Sequence, residues 1–99
     1  MIGDWTRDAL AGLMKTTFRL HHGRWGLLDL ELIDVSGLTE TPRQRTFSIL
    51  FRGPLERPFS QGTYRIEHSD LGTVDLFLVP VGREGDGMRY EAVFNNLVE

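Results

Sequence analysis

The chain has 99 residues and a mass of 11.3 kDa, with 40% hydrophobic, 10% aromatic and 25% charged residues, a composition that excludes disorder and leaves room for one packed core. Fourteen acidic residues against eleven basic ones give a formal charge of -3, the wrong sign for a chain that neutralises phosphates, so nucleic acid is not an expected partner. Cysteine is absent, which removes disulfides, thiolate nucleophiles and cysteine-ligated metals.

Met1 to Lys15 places Asp4 and Asp8 ahead of its apolar residues and lacks the basic start and unbroken apolar core of a secretory leader. The longest apolar stretch, Leu76 to Val81, falls far short of the ~20 residues that cross a bilayer as a helix. A cytoplasmic chain without membrane contact is the expectation. Trp5, Ala9, Leu10 and Leu13 recur at helical spacing, Asp4 stands where an N-cap belongs, and Gly12 keeps the element short. Together they predict one amphipathic helix over about 5–14, with Trp5 on its packed side.

From Thr16 onward the period changes to two, and β-branched and aromatic residues alternate with charged ones. The first strand, 16–22, carries Phe18 and Leu20 on one face. Gly23-Arg24-Trp25-Gly26 reverses the chain into a second strand over 27–35, where apolar residues change parity after Leu32 and predict a bulge. Ser36 to Arg43 reads as a loop, with Leu38 folding back over one open end of the sheet. The third strand, 44–52, points Phe47, Ile49 and Phe51 inward. Gly53 to Phe59 contains two prolines and reads as a bent connector.

The fourth strand, 62–68, sets Tyr64, Ile66 and His68 on one face, and Ser69-Asp70-Leu71-Gly72 turns the chain. The fifth, 73–81, is apolar on both faces toward its end, which predicts cover on both sides, for instance from the N-terminal helix. Gly82 to Gly87 is a glycine-rich hairpin loop, and the sixth strand, 88–95, alternates Tyr90, Ala92 and Phe94 with Arg89 and Glu91. The fold expected is mainly β: a single domain over 1–99 forming an antiparallel six-stranded barrel or sandwich with one short helix at an end.

Few residues carry chemistry. His21 and His22 are adjacent on a strand and point to opposite faces, so they do not chelate one metal together. The Gly82–Gly87 loop lacks the Lys-Ser/Thr of a phosphate loop, and its two carboxylates are too few for calcium. Ser36, Ser48, Ser60 and Ser69 lie outside any nucleophile motif. No catalytic residue, metal ligand or cofactor is expected. Between Pro42 and Pro58, Arg43, Arg45, Arg52 and Arg57 face Glu56 alone, and arginine is favoured at protein interfaces. Trp25, at the hairpin tip, either covers the end of the sheet or anchors a contact.

Phe47-Ser48-Ile49-Leu50-Phe51-Arg52-Gly53-Pro54, Gln61-Gly62-Thr63-Tyr64-Arg65, Leu76-Phe77-Leu78-Val79-Pro80-Val81-Gly82 and Tyr90-Glu91-Ala92-Val93-Phe94-Asn95 resemble the motifs of a family of short bacterial all-β proteins of unknown function. The resemblance runs from the helix to Asn95 and brings no catalytic residue, because the family has no established activity. It implies a role in assembly, of the phage-tail-like or collar type.

The expected function is a non-enzymatic protein-interaction module, self-associating or docked in an assembly, with Trp25, Arg43, Arg45, Arg52 and Arg57 as candidate contacts. Two alternatives stay open. One is a barrel holding a small apolar ligand in a cavity lined by Phe18, Phe47, Phe51, Tyr64 and Phe94. The other is an acid/base enzyme using His68 with Asp70.

Overall fold

The computed structural model describes residues 5–97. Its elements are α1 (Arg7–Ala11), β1 (Thr17–His22), β2 (Gly26–Val35), β3 (Thr39–Thr41), β4 (Gln44–Pro54), β5 (Gly62–His68), β6 (Gly72–Glu84) and β7 (Gly87–Leu97). All strand pairs are antiparallel. The order is β2-β1-β5-β6-β7-β4-β3, and a further pairing of β2 with β4 closes six of the strands into a barrel. Closure uses the predicted bulge: Leu32 pairs with Phe51 and Asp34 with Leu50, so Ile33 is the extra residue that shifts the register.

Alternation explains the interior. Phe18 and Leu20 of β1, Leu28, Leu30 and Leu32 of β2, Phe47, Ile49 and Phe51 of β4, Ile66 of β5, Leu76 and Leu78 of β6, and Tyr90, Ala92 and Phe94 of β7 are all buried. Phe18 meets Phe51 edge to face at 5.1 Å, and Phe47 stacks on Phe94 at 4.7 Å. Trp5 and Leu10 are also buried in this core, and Lys15 donates its N–H to the Leu32 carbonyl at 2.8 Å, which fastens the N-terminal segment to β2. Phe59 fills the other end, stacked on Tyr90 at 3.9 Å between ring centroids.

Several expectations need correction. The helix spans five residues, not ten, and its N-cap is Thr6, whose hydroxyl accepts the Ala9 N–H at 3.1 Å. Asp4, the expected cap, lies outside the described residues. The loop expected over 36–43 contains β3, paired with β4 from Thr39↔Thr46 to Thr41↔Gln44. Leu38 does not cover an open end, since 42% of it stays exposed. Gly53 and Pro54 continue β4, opposite Met88 and Gly87, because a proline at the last ladder position forfeits no interior hydrogen bond. Gly82 to Glu84 likewise belong to β6, past an irregularity between Pro80 and Gly82 where glycine takes φ +150°. The helix packs against β2 and does not cover the outer side of β6, where Phe77 remains 53% exposed. No helix among the described residues is long and apolar enough to cross a membrane.

Candidate functional site

The outside of the barrel has two unlike halves. Across β2, β1, β5 and the first part of β6, outward positions alternate in charge. Arg19 stands opposite both Asp29 and Glu67, and Arg65 opposite both His21 and Asp75. Their side chains meet as Arg19–Asp29 at 3.9 Å, His21–Glu67 at 3.1 Å and Arg65–Asp75 at 3.6 Å. Such exposed pairs contribute little stability but keep a face polar and its register defined.

The other half carries an apolar stripe. Along β6, Phe77, Val79 and Val81 share the outward side; Val79 stands opposite Glu91 of β7, which in turn stands opposite Leu50 of β4. Val93, two residues beyond Glu91, is 54% exposed and Val81 42%. Glu91 therefore sits among Leu50, Val79 and Val93, with no ion-pair partner among the described residues. The next row sets Arg52 directly opposite Arg89. Each leans away from the other, Arg52 to Glu31 at 2.6 Å and Arg89 to Glu84 at 3.9 Å, and Arg89 Nε is buried without a hydrogen-bond partner.

The four arginines grouped in sequence are spread out in space. Arg43 and Arg45 lie at the start of β4, where Arg45 meets Glu40 of β3 at 3.7 Å. Arg52 stands seven positions further, roughly 23 Å along an extended strand and on the opposite face. Arg52 and Arg57 share a surface groove of about 470 Å³ with Asp29, Glu31 and Asp86, where β2 and β4 part beyond the Glu31↔Arg52 pair. Trp25 is half-buried over the hairpin end: His22 Nδ1 accepts the N–H groups of Arg24 and Trp25, and the Arg24 guanidinium lies 4.7 Å from the Trp25 ring centre.

Of the residues considered for a cavity, Phe18 packs on Phe51 and Phe47 on Phe94 inside the barrel, whereas Tyr64 lies at the Phe59 end and donates to the Ser60 carbonyl at 2.6 Å. His68 is buried, 4.4 Å from the Phe18 ring centre. Asp70 reaches it through its main chain: the Asp70 N–H donates to Nδ1 at 3.0 Å. With Nδ1 accepting, Nε2 is the ring nitrogen left to donate, to Thr16 Oγ1 at 3.1 Å, while the threonine hydroxyl donates to the Leu13 carbonyl at 2.6 Å. The relay ties β5 to the segment after α1. Burial pushes the Tyr90 phenol above the ordinary tyrosine value of 10.0, partly offset by the Phe59 N–H that donates to its oxygen at 3.2 Å. Among the described residues no three histidines or carboxylates converge as a metal-holding group.

A family model described as a domain of unknown function (DUF6916) matches residues 5–94. The chain belongs to this family. No curated protein and no solved structure matches it. In this DUF6916 domain the residues that sequence reasoning missed as surface features are Leu50, Phe77, Val79, Val81 and Val93. The signal was visible as apolar character on both parities of 73–81, but it marks an uncovered outer face.

Proposed function

We propose that the domain is a non-enzymatic protein-interaction module, working by self-association or by docking in a larger assembly. The observation that carries this reading is the uncovered apolar stripe of Phe77, Val81 and Val93 on a barrel whose opposite side is laced with ion pairs. A contiguous exposed apolar patch with a polar rim is the usual mark of a protein contact. Scattered surface leucines would not support it; here the residues follow one another on β6 and across to β7 and β4.

Among the arginines expected as contacts, Arg52 borders this stripe, and the half-buried Trp25 reads as cover for the barrel end. Arg43 is exposed at the far end of β4, and Arg57 lies by the groove. The test is light scattering of the purified chain, alone and mixed with products of the genes adjacent to its own. A complex that Val93→Asp abolishes supports the reading; a chain that is monomeric alone and binds none of those products counts against it.

A further inference from the structure

We propose that the face carrying the apolar stripe is where two copies of this chain meet about a two-fold axis. The inference rests on the interaction-module reading and narrows it to self-recognition. Its starting point is the charge order of the face. Glu91 lies in one row between Val79 and Leu50, and Arg89 and Arg52 lie side by side in the next. Like charges opposed on a sheet repel, and the flanking Glu31 and Glu84 draw the two guanidiniums apart.

A two-fold axis in the plane of the face, midway between these rows, sets the Glu91 carboxylate of each copy against the Arg89 and Arg52 row of the other. Two ion-pair clusters form at once, because an isologous contact uses every interaction twice. Leu50, beside Glu91, then lies against the aliphatic stem of Arg52, and Val79, on its other side, against Val81 and Gly82. Phe77 and Val93, about 10 Å from the axis at strand spacing, close the ends of the contact over the Pro54, Gly87 and Glu84 row of the other copy. An acidic partner fits less well: carboxylates suited to Arg52 and Arg89 would also confront Glu91, one residue pair away. A second copy presents both signs in the reversed order that the face requires.

Sedimentation equilibrium of the full chain over a wide concentration range tests this. The wild type should reach a dimer, and Phe77→Asp and Val93→Asp should each weaken it by about tenfold or more. Both positions are exposed, and circular dichroism verifies that the variants keep the fold. Glu91→Arg should weaken the dimer as well, and Arg89→Glu in the same chain should restore it. A monomer at every concentration, or a dimer indifferent to both aspartate variants, overturns the proposal. If a monomeric chain instead captures a neighbouring gene product through these residues, self-pairing fails and the interaction-module reading stands; if no complex forms, both fail.

Discussion

Close packing at single positions decides what this barrel tolerates. A Cβ on Gly53 would lie 2.9 Å from Leu30 Cδ2 and 3.3 Å from Tyr90 Cε2, both inside the core. Gly53→Ala should therefore cost about 1–3 kcal/mol in urea unfolding, the range for overpacking. Gly37→Ala, with nothing within 4 Å, should leave stability unchanged or raise it slightly. Tyr90 makes a second, pH-dependent case. Its folded phenol holds its proton more tightly than the unfolded one, because burial disfavours the phenolate. The stabilisation is thus complete below pH ~10, where both states are protonated, and is lost as pH rises past that value through the raised one. Tyr90→Phe should flatten this alkaline decline in thermal unfolding. At neutral pH it should cost about 1–3 kcal/mol, since the buried Phe59 N–H loses its acceptor.

At the scale of elements, the legible and illegible parts of the fold divide along one line. Strands with one buried face announce themselves by period two, and β1, β2, β4, β5 and β7 were predictable for that reason. Even the bulge at Ile33 left a trace, as a change in apolar parity. β3 left none: Thr39, Glu40 and Thr41 are all exposed, so nothing in their pattern distinguishes a ladder from a loop. The outer stripe of β6 misled in the opposite sense, because apolar residues on both faces signal cover only if something supplies it. Residues of the interior were readable by alternation, whereas the patch on the outer face depends on which strands become neighbours through closure. The helix start was misplaced because Asp4 and Thr6 are both acceptable caps, and the hydroxyl of Thr6 takes the Ala9 N–H. Thr6→Ala should cost about 1 kcal/mol in chemical unfolding. Replacing the threonine by Ser or Asp should recover most of the loss, which a role in packing alone would not allow.

For the whole molecule, closure joins segments that are remote in sequence. β1–β2, β5–β6 and β6–β7 are hairpins that form locally, but each leaves one apolar face open to water. The interior is sealed when β1 meets β5, as in Leu20↔Ile66, and β4 meets β7 along its length from Gln44↔Leu97 to Pro54↔Gly87. These pairings need large loops to close before burial offsets the lost chain entropy. Refolding from urea should accordingly take about milliseconds to seconds, the range of small barrels rich in non-local pairs, and not the microseconds of helical bundles. Stopped-flow Trp fluorescence reads it, because Trp5 is buried beside Phe18 at 5.7 Å only after the N-terminal segment docks on the barrel. Trp25, in the β1–β2 turn, offers a local comparison, so Trp5→Phe and Trp25→Phe chains report the two regions separately. Coincident rates from both would mean that hairpin and closure appear in one cooperative step. A Trp25 signal forming well ahead of Trp5 would instead show the hairpin standing alone, with docking of the N-terminal segment as a later event.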